Sequence, residues 1–132
     1  MQTKNGMEPI NIEETIKTPL IRYLPELNKI EIRGKSIPED PREFFNPILK
    51  WFEDFSASPP ENTTVEVKLE YFNTSSSKTF LQIFKKLENV VRKKKNININ
   101  WYYEVDDYDM KECGEDYRSM LKVPFRMIEV ME

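Results

Sequence analysis

The sequence predicts an α/β fold in which the helices cover one face of a mixed sheet of four or five strands. Residues 65–71 and 97–103 alternate apolar with polar side chains, as strands with one buried face do. Between them, apolar residues recur at helical spacing over residues 80–91, so a strand, a helix and a second strand form a βαβ unit. Because every strand alternates, the second face of the sheet should be polar.

The N-terminal part of the chain has shorter patterns. Residues 1–11 are polar and are expected to form a loose lead to a single domain that spans residues 1–132. Two short extended pieces fit residues 11–24. Residues 29–33 alternate charged and apolar side chains, which predicts a half-buried strand.

The first helix is expected to begin at Asp40-Pro41, because Asp40 is a favourable N-cap and Pro41 suits the first helical position. Apolar residues then recur at intervals of three and four until the helix stops before Pro59-Pro60. Pro47 lies inside this helix and is expected to bend or delay its first turn.

The C-terminal part is predicted to hold an acidic loop over residues 104–109, a helix and a closing strand. The helix should end before Pro124, and the strand covers residues 125–130. Asp107 or Asp109 is expected to cap the helix, since carboxylates favour its positive end.

The composition excludes several classes of function. The chain contains no histidine, which removes the commonest general base and nearly all zinc sites. Cys113 is the only cysteine, so packing must hold the fold without an internal disulfide. A net charge of −3 disfavours nucleic-acid binding, and no apolar run is long enough to span a bilayer. The sequence therefore predicts a cytoplasmic protein that is no enzyme, needs no cofactor or metal, and does not insert into membranes.

A run of hydroxyl side chains follows the strand over residues 65–71. The run and its flanking residues are Asn73, Thr74, Ser75, Ser76, Ser77 and Lys78. Such side chains accept hydrogen bonds from the free amides of a helix start, and capping alone could explain them. A phosphate on one of these hydroxyls would also be stabilised there, because the amides and the helix dipole favour an anion. Both interpretations are compatible with the residues.

Acidic side chains are concentrated in residues 106–116. Their oxygens could serve a hard divalent cation, and a small metal-assisted hydrolase or nucleotide enzyme is the alternative function that they suggest. The spacing does not match a calcium-binding loop, however, and capping of the last helix is the simpler role.

Basic side chains are concentrated in residues 85–95, close in sequence to Trp101 and Tyr103. Aromatic and basic groups together can bind single-stranded nucleic acid. Strand alternation, however, turns Trp101 and Tyr103 towards the core and leaves only Tyr102 facing outward. A solvated helix face is therefore the favoured interpretation.

Four motifs together resemble the SiaC family of bacterial regulatory phosphoproteins, over the chain from about residue 18 to its C-terminus. The motifs are Gly34-Lys35-Ser36-Ile37-Pro38-Glu39-Asp40, Phe44-Phe45-Asn46-Pro47 with Trp51, Tyr71-Phe72-Asn73-Thr74-Ser75-Ser76-Ser77-Lys78, and Asp106-Asp107-Tyr108-Asp109-Met110 with Glu112, Gly114 and Glu115. The resemblance implies a fold similar to the STAS domains of anti-sigma-factor antagonists.

The resemblance also implies a partner-switching function. In this family a protein kinase phosphorylates the hydroxyl residue after the central strand, and a metal-dependent serine/threonine phosphatase removes the phosphate. The unphosphorylated protein binds a diguanylate cyclase and promotes cyclic di-GMP synthesis, which favours biofilm formation and aggregation. Carried over by position, the phosphoacceptor is Thr74, and its neighbours in residues 73–78 serve the helix start or kinase recognition.

Overall fold

A computed structural model describes residues 8–131 of the chain. In it, six strands form one sheet whose order follows the sequence, from β1 at one edge to β6 at the other. The strands are β1 (Asn11–Ile12), β2 (Leu20–Leu24), β3 (Lys29–Ser36), β4 (Asn62–Phe72), β5 (Asn96–Glu104) and β6 (Phe125–Val130). The pairs β1–β2 and β2–β3 are antiparallel, whereas β3–β4, β4–β5 and β5–β6 are parallel.

One helix follows each of the first three parallel strands. They are α1 (Pro41–Ala57), α2 (Thr74–Arg92) and α3 (Tyr108–Met120). The Asp40 cap is confirmed, because its carboxylate accepts a hydrogen bond from the Glu43 amide at 3.1 Å. The predicted delay of the first turn by Pro47 is wrong: α1 is helical from Pro41 onward and continues past the proline to Ala57.

The prediction that the helices lie on one face of the sheet is confirmed. The side chains of Ile32, Val67 and Trp101 point into one core together with residues of all three helices. Phe45 of α1 contacts Phe80 of α2 edge-to-face, with ring centroids 5.8 Å apart. In the same way Phe84 of α2 meets Tyr117 of α3 at 5.3 Å, so the helices form one layer.

The opposite face of the sheet carries polar side chains that bond to one another across the strands. Arg22 of β2 donates to Glu31 of β3 at 2.7 Å. Glu66 of β4 accepts hydrogen bonds from Asn100 at 2.6 Å and from the Tyr102 hydroxyl at 2.7 Å, both on β5. This network satisfies polar groups on a face that no helix of the described chain covers.

The predicted number of four or five strands is wrong, since the sheet has six. The two extended pieces expected within residues 11–24 both join the sheet as β1 and β2. β1 consists of only two residues, so it is too short to show a period of its own. The likeness to STAS domains stays a prediction.

The last residues of the predicted loose lead are held against the domain. The Glu8 carbonyl accepts a hydrogen bond from the Trp51 indole at 2.9 Å, and the Ile10 carbonyl accepts one from the Tyr23 amide at 2.9 Å. Asn11 belongs to β1. A loose lead is therefore the wrong description for residues 8–11, because tertiary contacts order this segment, and residues 1–7 lie outside the described part of the chain.

The sheet divides between β4 and β5 at the carboxyl ends of these strands. Their pairing ends at Val67–Trp101, while β4 continues beside β3 to Phe72 and β5 continues beside β6 to Glu104. The β3–β4 register shifts between Gly34 and Lys35, and such a bulge bends a strand away from its neighbour. A cleft lies in the gap and is lined by residues 68–70 and 102–104.

Candidate phosphorylation site at the start of the second helix

The turn from β4 into α2 is built by Asn73. Its backbone is extended, with φ −89° and ψ 178°, and its side-chain oxygen accepts a hydrogen bond from the Ser76 amide at 3.0 Å. The Ser77 amide bonds to the Asn73 carbonyl at 2.9 Å. These bonds satisfy free donors of the helix start, so the capping role expected of this segment is confirmed.

Three serine hydroxyls of this turn are engaged inside the protein. Ser75 Oγ donates to Asn73 Oδ1 at 3.1 Å. Ser76 is buried, and its Oγ donates to the carbonyl of Ser36 at the end of β3, at 2.9 Å. Ser77 Oγ lies 3.2 Å from the Tyr117 hydroxyl of α3. The first turn of α2 is thereby bonded to a strand on one side and to a helix on the other.

Thr74 differs from the three serines that follow it. It is the first residue of α2, its side chain is exposed, and its hydroxyl has no hydrogen-bond partner among residues 8–131. Lys78 is exposed one helical turn later. Among the four consecutive hydroxyls, Thr74 therefore has the one that an approaching enzyme could reach without breaking a bond.

The hydroxyl of Tyr117 is fixed by its surroundings. Its ring is 4% exposed and packs against Phe84 and Trp101, each with ring centroids 5.3 Å away. Burial raises the pKa of Tyr117 to about 12, so its hydroxyl keeps its proton at neutral pH. That proton goes to the Ser77 carbonyl, 2.8 Å away.

Thr74 lies at the edge of the sheet where the parallel strands end. Ligands of open α/β sheets commonly bind outside the carboxyl ends of the strands. Five exposed large apolar side chains occur in segments that meet at this edge: Ile16, Tyr71, Val105, Tyr108 and Met131. The exposed fraction of the Tyr108 side chain is 76%. The edge at which Thr74 lies thus carries accessible apolar groups and an accessible hydroxyl, and we call these five residues and Thr74 the carboxyl-edge surface.

The acidic segment over residues 106–116 serves the start of α3. Asp107 caps this helix by accepting a hydrogen bond from the Met110 amide at 3.0 Å, which confirms the predicted capping by Asp107. Asp109 lies in the first helical turn. Within residues 8–131, no group of three acidic or cysteine side chains is arranged to hold a metal ion.

The basic segment over residues 85–95 lies largely on α2 and forms ion pairs there. Glu88 is only 7% exposed and is approached by the side chains of Lys85 and Arg92 at 3.9 and 3.8 Å. Trp101 and Tyr103 are buried, as their alternation predicts. No helix in the part of the chain that the structure describes is long and apolar enough to cross a membrane.

Two residues of this site were not predicted from the sequence as site residues. Ser36 lies within one of the family motifs, and Tyr117 lies in the predicted last helix, with no function assigned to either. Each lies 40 positions away from its hydroxyl partner in α2. Ser36 could have been suggested by its hydroxyl at the end of β3, the strand parallel to β4. No local pattern indicates Tyr117.

The fold and the site together define a small α/β protein that presents one accessible hydroxyl at a helix start, which is a suitable place for a regulatory phosphate. The chain belongs to the SiaC family of regulatory phosphoproteins, whose family model matches residues 12–130. This confirms the resemblance found in the motifs.

Several proteins of Pseudomonas aeruginosa are similar to this chain. An uncharacterised protein of strain UCBPP-PA14 is 28% identical over 119 residues, which cover 90% of this chain and 94% of the relative. The structure of SiaC superposes with a TM-score of 0.83 at 27% identity and covers 94% of this chain and 100% of its own. SiaC in a complex with the diguanylate cyclase SiaD, of which it is the activator, gives a TM-score of 0.84 at 26% identity, covering 92% of this chain and 99% of its own.

Proposed function

We propose that this protein is a phosphorylation-controlled activator of a diguanylate cyclase and has no catalytic activity of its own. The unphosphorylated form binds the cyclase and promotes cyclic di-GMP synthesis, and with it biofilm formation and aggregation. A cognate protein kinase phosphorylates Thr74, and a metal-dependent serine/threonine phosphatase reverses the step. The protein acts in the cytoplasm and has a fold of the STAS type.

One observation carries the assignment of Thr74. Its hydroxyl is exposed and free of partners within residues 8–131, while the hydroxyls of Ser75, Ser76 and Ser77 are bonded inside the turn. A modifying enzyme reaches the exposed, unbonded hydroxyls of a folded domain more readily than buried or bonded ones. Thr74 is therefore the hydroxyl in this turn that can accept a phosphate while the cap and the tertiary bonds stay in place.

The carboxyl-edge surface supports binding of a protein partner beside Thr74. Exposed Tyr71 and Tyr108 are aromatic side chains of the kind enriched in interface cores, and Val105 adds apolar area. The SiaC protein of known structure, similar over nearly the whole chain, forms a complex with a cyclase as its activator. The same class of partner is proposed for this chain.

A phosphate on Thr74 would oppose that interface electrostatically. It adds roughly −1.5 to −2 charges at neutral pH. Burial of such a charge without cationic partners costs several kcal/mol, and every 1.4 kcal/mol weakens binding about tenfold. Release of the partner then follows from local charge, with the scaffold intact.

The test compares Thr74→Ala, Thr74→Asp and the wild-type protein for affinity to a diguanylate cyclase of the same organism, measured by calorimetry. We expect Thr74→Ala to bind like the unmodified wild type and to stay folded, because Asn73 caps the helix and the Thr74 hydroxyl bonds to nothing within residues 8–131. Thr74→Asp should bind at least tenfold more weakly, because a carboxylate opposes burial.

Ser119→Asp is the matched control, since it adds the same charge at an exposed position near the C-terminal end of α3, away from Thr74. It should bind like the wild type. Equal affinity of Thr74→Asp and Ser119→Asp, or phosphate mapped by mass spectrometry mainly to a serine of this turn, contradicts the proposed function.

A further inference from the structure

The hydrogen bonds in the first turn of α2 determine which atom accepts the hydroxyl proton of each serine. Tyr117 has one hydroxyl proton, and the Ser77 carbonyl accepts it. The 3.2 Å contact between Ser77 Oγ and Tyr117 is therefore a bond in which Ser77 donates. Ser75 likewise donates to Asn73, and Ser76 donates to Ser36. All three serine protons point to acceptors inside the protein.

These directions matter for phosphoryl transfer. The hydroxyl oxygen forms a bond to the γ-phosphorus of ATP, the bond from that phosphorus to the bridging oxygen breaks, and ADP leaves. The hydroxyl proton passes to a base of the kinase, commonly a carboxylate. A hydroxyl whose proton is held by an internal acceptor must first rotate and lose that bond. Thr74 alone in this turn needs no such step within the described structure.

The three serines are not restrained equally. Ser76 has no exposed surface, so burial alone excludes it from a kinase. Ser75 is partly exposed, but its acceptor Asn73 is the helix cap beside it. Ser77 is also partly exposed, and its acceptor belongs to a different helix. One side chain distant in sequence therefore keeps Ser77 from acting as a second acceptor.

We propose that Tyr117 is a specificity-determining residue that confines phosphorylation of this turn to Thr74 by binding both the hydroxyl and the carbonyl of Ser77. The proposal rests on the proposed function, because it presupposes a kinase that modifies Thr74. Tyr117 acts through Ser77 and does not touch the reacting hydroxyl of Thr74. The ring packing against Phe84 and Trp101 fixes its position.

The experiment uses the full chain and Tyr117→Phe, which keeps the ring and removes only the hydroxyl. Each protein is incubated with magnesium ATP and an extract of the cells that produce it, as the source of kinase, and phosphate is mapped by mass spectrometry. We expect the ratio of Ser77 to Thr74 phosphate to rise about fivefold in Tyr117→Phe, the range set by the loss of the one hydrogen bond that holds the Ser77 hydroxyl. Thr74 itself should be modified at the wild-type rate.

Two further variants complete the test. Tyr117→Phe combined with Ser77→Ala should carry phosphate mainly on Thr74, as the wild type does. Tyr102→Phe is the matched control, because it removes a tyrosine hydroxyl that bonds to Glu66 on the open face of the sheet. A Ser77 to Thr74 ratio in Tyr117→Phe that stays within twofold of wild type, with the protein folded by its circular dichroism and melting curve, overturns the proposal.

The outcomes separate this proposal from the one on which it rests. Wild-type protein that carries no phosphate on Thr74 contradicts the proposed function, and the inference about Tyr117 is overturned with it. Wild-type protein modified on Thr74, together with an unchanged pattern in Tyr117→Phe, contradicts only the role of Tyr117. An equal rise of Ser77 phosphate in Tyr102→Phe would also overturn the role of Tyr117, because a hydroxyl on the opposite face of the sheet would then have the same effect.

Discussion

At the scale of single residues, Tyr117 shows how one buried polar group connects two helices. Its hydroxyl reaches the carbonyl of Ser77 at 2.8 Å, while its ring lies in the core. A few positions earlier, Gly114 lies so close to the Trp101 indole that a Cβ atom there would overlap with the ring. Trp101 in turn donates to the Met110 carbonyl at 3.0 Å. These contacts hold α3 in a fixed position relative to the start of α2.

Alkaline pH should test the burial of Tyr117. Burial raises the pKa of this hydroxyl to about 12, above its ordinary value of 10.0, so the folded state holds the proton more tightly than the unfolded state. The resulting stability is fully present below pH 10 and is lost as the pH rises towards 12. We expect the free energy of unfolding to fall more steeply over this window in wild type than in Tyr117→Phe, by up to about 1.4 kcal/mol per pH unit.

Urea denaturation at several pH values between 9 and about 12 gives the free energy of unfolding as a function of pH for both proteins. Two parallel curves of unfolding free energy against pH would contradict this expectation, because they would mean that the folded state tolerates ionised Tyr117. Deprotonation of other groups affects both proteins alike and cancels in the difference.

At the scale of elements, α1 contains a proline, Pro47, in its interior, where proline disfavours helical structure. Pro47 cannot donate to the Glu43 carbonyl, and its ring crowds the preceding turn. The side chain is exposed, whereas Phe45 and Ile48 on either side are buried in the core. The apolar face of α1, which packs on the sheet and on α2, therefore outweighs the local cost of the proline.

Replacement of this proline should stabilise the protein. We expect Pro47→Ala to raise the free energy of unfolding by about 1 to 2 kcal/mol, because the interior of α1 regains a hydrogen bond and loses a steric clash. The gain is less than the full cost of an interior proline, since proline also restricts the unfolded chain. Asn46→Ala, at an exposed neighbour, is the control and should change stability by less than about 0.7 kcal/mol. A Pro47→Ala variant less stable than wild type would be incompatible with this account.

At the scale of the whole molecule, the sheet should exchange its amide hydrogens unevenly. β3, β4 and β5 each have a neighbour on both sides, and Ile32, Val65 and Ile99 within them are completely buried. β1 has two residues at one edge. We expect the central amides to exchange only through global unfolding and those of β1 to exchange through local opening. Equal protection in β1 and in the centre, measured by hydrogen exchange and NMR, would contradict this.

The division of the sheet gives the same experiment a sharper readout. The Thr64 amide bonds to Asn28 on the β3 side, so by strand alternation the amides of Val65, Val67 and Leu69 face β5. Pairing with β5 ends at Val67. Leu69 should therefore exchange faster than Val65 and Val67, although its side chain is only 5% exposed.

Those parts of the fold that depend on local chemistry could be predicted from the sequence. Alternation placed Val65 and Val67 in the core, and Asp40 was predicted to cap α1. For α2 the cap was expected within the run of residues 73–77, and the structure assigns it to Asn73. These signals act within a few residues, and later packing reinforces them. The same reasoning anticipated the extended piece that forms β1 but not its place in the sheet, which depends on its pairing with β2.

The site could be predicted only in part, for a physical reason. The sequence identified residues 73–78 as a helix start with an accessible run of hydroxyls, but it left all four hydroxyls equivalent until the family resemblance selected Thr74. What distinguishes Thr74 in the structure is the set of bonds that Ser36 and Tyr117 make with its neighbours. Those bonds depend on how distant elements align in three dimensions, and periodicity determines only which face of an element is buried.

The order of strands along the sheet has a consequence for synthesis on the ribosome. Because the order follows the chain from β1 to β6, each strand that emerges pairs with the strand made just before it. Within residues 8–131, no segment has to insert between strands that are already paired. A nascent chain that has not yet produced β6 exposes the unpaired edge of β5 with its aromatic residues, and an unpaired edge strand is prone to aggregation.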